Sequence, residues 1–83
     1  MQIRVLLFAI LRDEAGTNQL TIKLPDGATL ADAVDHIGRQ LPTIRFRLKS
    51  GKCAFAVNQN YSNMGIPLKD GDELALIPPV SGG

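Results

Sequence analysis

The residues best suited to chemistry in this chain are its last two, Gly82 and Gly83. They follow Ile77-Pro78-Pro79-Val80-Ser81, so an apolar run stops at a double proline and the sequence finishes on two glycines. Glycine has no side chain to bury and loses the most backbone freedom on ordering, so this segment is expected to stay mobile and add nothing to a core. Its reactive group is the carboxylate of Gly83. A carboxylate is a poor electrophile, because its charge repels nucleophiles and its oxygen leaves badly. ATP can convert it to an acyl-adenylate, which makes AMP the leaving group. A sulfur donor then yields a thiocarboxylate, an amine yields an amide, and a protein thiol yields a thioester. Each outcome requires the tail to enter another protein's active site. Two glycines give a thin cross-section for that entry. Pro78 and Pro79 each fix φ and cannot rejoin a sheet, so they hold the approach extended.

The rest of the chain offers no competing catalytic set. It has one histidine, His36, and one cysteine, Cys53. His36 falls on the wet face of a predicted helix and Cys53 in an apolar strand, so a Cys-His pair is not expected. Asp70 and Asp72 flank Gly71, but the other ligands of a calcium loop are absent and a turn is the better reading. No ligand spacing suits a metal, and no glycine-rich phosphate loop follows a strand. The lysines and arginines read as dispersed over a solvated surface. The expectation is a chain with no resident cofactor or metal.

The elements that must position the tail are legible from periodicity. Ile3, Val5 and Leu7 alternate with Gln2, Arg4 and Leu6, which predicts a strand. The alternation fails at Leu6-Leu7-Phe8, where both faces are apolar. Such a strand is central in its sheet or presents one face to a partner. Ala9 to Ala15 reads as a short helix or turn stopped by Gly16. Leu20, Ile22 and Leu24 alternate with Gln19, Thr21 and Lys23, which gives a second strand, antiparallel to the first across an irregular connection.

Pro25-Asp26-Gly27 makes a turn. Thr29 caps a helix, with Asp32 completing an approximate capping box. Leu30, Ala33, Val34, Ile37 and Leu41 form its apolar stripe. Gly38 weakens its last turn by roughly 1 kcal/mol, and Pro42 ends it. Residues 43–52 read either as a strand, with Ile44, Phe46 and Leu48 alternating against Arg45, Arg47 and Lys49, or as a short helix with Ile44 and Leu48 on one side. Residues 53–57 form an apolar strand, broken at Asn58-Gln59-Asn60, and Tyr61 restarts a short extended piece. Asp70-Gly71 tips a second turn before the final strand, Leu74 to Ile77.

One amphipathic helix across a mixed sheet of four or five strands buries the stripe and the strand faces together. With the first and last strands adjacent in the middle, this α+β arrangement is a β-grasp, or ubiquitin-like, fold. Residues 1–77 form the domain and 78–83 the extended tail. Phe8, Tyr61 and Ile77 stand at strand ends that converge near the tail's exit, with Arg12 beside Phe8, and an apolar patch there is a candidate binding surface.

Composition narrows the class. Eighty-three residues make a single domain with a small core. Nine basic and eight acidic residues leave a formal net charge of +1, without the excess that a nucleic-acid backbone requires. A lone cysteine fits a reducing compartment. Val5 to Leu11 is apolar after Arg4 but short for a signal peptide, and Arg12, Asp13 and Glu14 follow at once. No run approaches the ~20 apolar residues of a membrane span. The expectation is a cytoplasmic protein with neither nucleic acid nor membrane as partner.

Together these segments resemble a known family, the small subunits of molybdopterin synthase, which are ubiquitin-like sulfur carriers. The resemblance is carried by Ala56-Val57-Asn58-Gln59, by the run from Pro67 to Ala75 and by Ile77 to Gly83. Leu7-Phe8-Ala9 with Arg12, Glu14 and Gly16 fits the family's opening. The resemblance implies that an E1-like adenylyltransferase activates Gly83 with ATP and that a desulfurase- or rhodanese-type donor supplies sulfur. The tail, Pro78, Pro79, Val80, Ser81, Gly82 and Gly83, then enters the large synthase subunit of a heterotetramer. There the sulfur passes to cyclic pyranopterin monophosphate, building the dithiolene that holds molybdenum. The resemblance further implies that the active site lies mainly in the large subunit and that this chain serves as the non-catalytic, sulfur-carrying subunit of the transferase. Phe8, Tyr61 and Ile77 fall where the family makes hydrophobic partner contacts, and Arg12 matches a polar position nearby. The alternatives are a sulfur carrier for thiamine thiazole or tRNA thiolation, and a ubiquitin-like modifier joined to lysines.

Overall fold

The alternation at the start of the chain builds β1, Gln2–Leu7, whose residues Ile3, Val5 and Leu7 are buried. A computed structural model describes residues 1–79 of the protein. The expectations for Val80, Ser81, Gly82 and Gly83 lie outside the described residues. After β1 come α1 (Ala9–Ala15), β2 (Gln19–Lys23), α2 (Leu30–Gln40), α3 (Pro42–Lys49), β3 (Ala54–Val57), β4 (Asn60–Tyr61) and β5 (Glu73–Ile77). The strands form one sheet in the order β2-β1-β5-β3-β4.

β1 and β5 lie side by side in the middle of this sheet and run parallel, with Arg4 opposite Glu73 and Leu7 opposite Leu76. β2 is antiparallel to β1, β3 to β5, and β4 to β3. One face of the sheet contributes Ile3, Val5, Leu7, Ile22, Phe55, Val57, Leu74 and Leu76 to the core. The helices cover that face with Leu11, Leu30, Ala33, Ile37, Ile44 and Leu48. Among the described residues no polar or charged residue is buried, so the interior holds the fold by apolar packing alone.

Local chemistry places the helices. Gly16 adopts φ +76° after α1, and its N–H donates to the Arg12 carbonyl at 3.0 Å, which ends the helix with a left-handed cap. At α2 the capping box is complete. The Asp32 N–H donates to Thr29 Oγ1 at 3.3 Å, and the Thr29 N–H donates to Asp32 Oδ2 at 2.9 Å. Gly38 is buried where α3 crosses α2; a Cβ there would meet Arg45 Cγ at 3.2 Å. The glycine that weakens α2 by propensity thus permits the close approach of α3.

Residues 42–49 settle as a helix, which removes the strand alternative. Pro42 stops α2 and also starts α3 at its first turn, where a missing N–H costs nothing. Ile44 and Leu48, four residues apart, are buried. Phe46 lies off that line and is 80% exposed, where the strand reading would have buried it beside them. The apolar strand of residues 53–57 begins at Ala54, leaving Cys53 half-buried just before it.

Asn58 and Gln59 both have positive φ, 51° and 71°, which makes a two-residue type I′ connection between β3 and β4. The Asn58 side chain locks it: its amide donates to Asp72 Oδ1 at 2.9 Å, and its oxygen accepts from the Glu73 N–H at 3.0 Å. Gln2 N–H donates to Asp70 Oδ1 at 2.7 Å. One acidic turn therefore fixes both the β3–β4 hairpin and the start of β1.

Two substitutions separate capping from packing. Thr29→Ala should lower unfolding free energy by about 1 kcal/mol. Leu74→Ala, at a fully buried site between β1 and β3, should cost about 2–5 kcal/mol. Urea denaturation followed by circular dichroism checks both values.

Candidate functional site at the tail exit

β1, β5 and β4 all run in one direction, with β2 and β3 reversed. Their C-terminal ends therefore share one end of the sheet: Phe8 stands beside Ile77, while Tyr61 lies on the edge strand, level with Leu6 and Ala75. The face away from the helices carries a cross-strand row in which Leu6 pairs with Ala75, Ala75 with Ala56 and Ala56 with Tyr61. In the next row Ile77 pairs with Ala54. Phe8 follows Leu7, the partner of Leu76, and so continues β1 alongside Ile77. Three alanines make a shallow floor between larger apolar side chains. Tyr61 is 76% exposed and Phe8 44%, with Ile77 half-buried between them. This face is an exposed apolar patch beside the point where Pro78 and Pro79 leave the sheet.

Ala9 sets the aim of Phe8. It has φ +51°, a left-handed conformation that costs an alanine roughly 1–2 kcal/mol. The turn swings the chain from β1 into α1 and leaves Phe8 extended at the helix N-cap, mostly outside the core. Nothing in the residue type signals this; alanine there reads as a helix former. Arg12 lies one turn along α1. Its N–H approaches the Phe8 carbonyl at 3.4 Å, and its guanidinium makes a 3.5 Å ion pair with the neighbouring Asp13 in the open. Such a pair is weak, so Arg12 can exchange it for another contact. Pro78 is half-buried and Pro79 exposed, where the chain leaves the sheet.

A tie between α1 and α3 backs this surface. Arg47 grips Glu14 with two hydrogen bonds, Nε to Oε1 and Nη2 to Oε2, the second 2.9 Å long. The Arg47 hydrogen bonds hold the Glu14 carboxyl below its ordinary range against partial desolvation, and the same contact raises Arg47. Sequence reading found Glu14 as part of a resemblance but not its partner, because the two are joined only once residues 42–49 are known to be a helix.

Burial pushes the Cys53 thiol up, with the Arg47 charge pulling weakly the other way. Its Sγ donates to the Arg47 carbonyl at 3.4 Å, not to His36. A thiol held protonated is a poor nucleophile. Among the described residues no group of three or more His, Cys, Asp or Glu is placed to hold a metal ion. No helix among them is long and apolar enough to cross a membrane.

A mixed sheet with parallel central strands, one main helix across it and a C-terminal tail leaving from the sheet's end defines the ubiquitin-like β-grasp class. The ThiS family model matches residues 5–83, and the chain belongs to that family. It is 46% identical over 85 residues, covering all of both chains, to the molybdopterin synthase sulfur carrier subunit of Chlamydomonas reinhardtii. In structure it is similar to the small archaeal modifier protein SAMP1 from Haloferax volcanii, with a TM-score of 0.94, 30% identity and full coverage of both chains. It is also similar, at a TM-score of 0.70 and 31% identity over all of both chains, to a chain in the complex of subunits 1 and 2 of the molybdopterin-converting factor from Helicobacter pylori.

The Glu14–Arg47 tie has a pH signature. A carboxyl whose pKa is depressed in the folded state contributes stability that is present above its unfolded value, about 4.3. That contribution is lost as pH falls through the lower folded value. Glu14→Gln should therefore flatten the acid limb of the stability profile below about pH 4.3 and leave its shape at neutral pH unchanged. Urea midpoints collected down the acid range measure it.

Proposed function

We propose that this chain is a sulfur carrier subunit of molybdopterin synthase. The observation that carries this reading is positional. In a member of the ThiS family, Pro78 and Pro79 carry the chain out of the sheet beside an open apolar face. The fold therefore serves to address and deliver the carboxylate of Gly83.

The chemistry follows from that carboxylate. Its oxygen attacks the α-phosphate of ATP on an E1-like adenylyltransferase, and pyrophosphate leaves. The terminal sulfur of a persulfide on a desulfurase- or rhodanese-type donor adds to the acyl carbon, and AMP leaves with the C–O electron pair, giving an acyl disulfide; a second thiol then attacks the donor's sulfur, and the thiocarboxylate leaves with the S–S electron pair as that thiol and the donor form a disulfide. The tail then enters the large synthase subunit and gives its sulfur to cyclic pyranopterin monophosphate. The chain holds no cofactor permanently; ATP is consumed on the activating enzyme. Phe8, Tyr61 and Ile77 seat the large subunit, Arg12 supplies a polar contact at the rim, and Pro78 to Ser81 span the distance into its active site. The likeness to a chain in the complex of subunits 1 and 2 of the Helicobacter pylori molybdopterin-converting factor supports a large-subunit partner. A lone cysteine and a need for ATP fit work in the cytoplasm.

A second reading, a modifier joined to lysines through Gly83, is favoured by the likeness to the archaeal modifier protein. It would appear as isopeptide conjugates that vanish when Gly83 is removed. A third use of the same chemistry, thiolation of thiamine thiazole or tRNA, would show a different co-purifying partner.

Incubation with the activating enzyme, ATP and a sulfur source should raise the intact mass by about 16 Da, the exchange of one oxygen for sulfur at the acyl centre. Deletion of Gly83 should abolish the change; a mass gain that survives the deletion refutes the reading. Tyr61→Ala should leave stability within about 0.5 kcal/mol, since the side chain is exposed. It should weaken the complex with the large subunit by about 1–2 kcal/mol in a titration calorimeter.

A further inference from the structure

Among the described residues the left-handed backbone positions fall into two groups. Gly16, Gly27, Gly51 and Gly71 are glycines, for which that conformation costs little. Ala9, Asn58 and Gln59 carry side chains. These three adjoin the two exposed aromatics of the sheet face: Ala9 follows Phe8, and Asn58-Gln59 leads into the strand that ends in Tyr61. Asparagine tolerates the left-handed region, whereas glutamine and alanine enter it rarely. Backbone held in a sparsely populated region persists only where its surroundings over-determine it, and such places gather at binding sites.

The two aromatics rest on different foundations. Phe8 follows β1, a central strand paired on both sides. Tyr61 ends β4, an edge strand of two exposed residues that pairs with β3 alone. So short a hairpin is marginal by itself, and a ring left 76% exposed gains little from packing. The turn before β4 must hold it, and Asn58 holds the turn. The Asn58 N–H donates to the Glu73 carbonyl at 2.8 Å. Its side-chain amide donates to Asp72 Oδ1 at 2.9 Å, and its side-chain oxygen accepts from the Glu73 N–H at 3.0 Å. The Asp72 carbonyl in turn accepts from the Arg4 N–H of β1 at 3.0 Å. The edge that carries Tyr61 and the strand that leads to Phe8 are thus tied to one acidic segment.

We propose that Asn58 is a positioning residue for the large-subunit contact, holding Tyr61 in fixed relation to Phe8 and Ile77 from the opposite end of the sheet. The inference rests on the carrier reading above. Val57 pairs with Leu74 and Ala54 with Ile77, so Asn58 lies beside the start of β5, a whole strand away from the tail root. It acts through Tyr61 and not by touching the tail. A partner that buries three side chains at once binds more tightly when their spacing is set beforehand, because less freedom is lost on docking. Without the clamp, Tyr61 samples a wider range and the partner must order it.

Calorimetric titration of the full chain with the large synthase subunit is the test. Asn58→Gly keeps a left-handed turn but deletes both side-chain hydrogen bonds, and should raise Kd about fivefold. In a Tyr61→Ala background the same substitution should change Kd by less than about twofold. Asn58→Asp sets a second carboxylate against Asp72 and should weaken binding at least as much as Asn58→Gly. Adding Asp72→Asn to it reverses donor and acceptor, and still leaves an oxygen for the Lys69 N–H that Asp72 Oδ2 receives at 2.8 Å. That pair should return Kd to within about twofold of the native value. Thr29→Ala, which loses stability at the α2 cap, should leave Kd unchanged, and thermal melts verify that every variant is folded at the titration temperature. A Kd for Asn58→Gly within about twofold of the native chain's overturns the proposal. So does a loss that persists in full without the Tyr61 ring, an exchanged pair that fails to rescue, or an equal loss in Thr29→Ala. If Tyr61→Ala binds like the native chain, Asn58 has nothing to position and this inference falls alone. If the native chain does not bind the large subunit, the carrier reading fails and this inference falls with it.

Discussion

β1 and β5 come from opposite ends of the chain and pair in parallel at the centre of the sheet. Arg4 donates to Glu73 across this pair at 2.8 Å, and the Asp70–Asp72 turn binds the start of β1 through Gln2 and Arg4. Parallel pairing brings their C-terminal ends to the same edge of the domain. One of those ends turns into α1 and the other continues into the tail. Phe8 therefore stands beside Ile77 because of strand direction, not because of any attraction between them. Reversing β5 would send the chain out of the sheet at the far end, away from Phe8.

Much of this was legible in the residues. The Leu6-Leu7-Phe8 run, apolar on both sides, marks a strand with a buried face and a second face that needs explaining. The capping box at Thr29, the stop at Gly16 and the Asp70-Gly71 turn all carry local chemistry that tertiary context did not override. Residues 42–49 were harder. Their sequence puts apolar residues at every second position, which suits a strand, and Ile44 and Leu48 four apart, which suits a helix. Proline at the first helical position and the glycine at 38 resolve the ambiguity, because together they let a second helix start at once and pack against the first. The ambiguity mattered for the surface, since only the helix turns Phe46 outward and brings Arg47 to Glu14. The left-handed Ala9 was not legible at all; its φ is imposed by the need to leave a central strand sharply.

The division of labour has a physical rationale. A carrier that visits several active sites gains nothing from a reactive group inside its own fold. Its interior can be wholly apolar, and its thiol can be held protonated by burial. What it needs is a stiff root for the tail and surfaces around that root which partners can grip.

On the proposed function, sulfur leaves this chain from Gly83 and arrives on a pterin. The most direct measurement loads the chain with radioactive sulfur as the thiocarboxylate, adds the large subunit and cyclic pyranopterin monophosphate, and follows the label in a single turnover. The account predicts that label moves from the chain to the pterin product while the chain returns to its unloaded mass. Label that stays on the chain, or a chain that loses its label while becoming amide-linked to protein lysines, would contradict it.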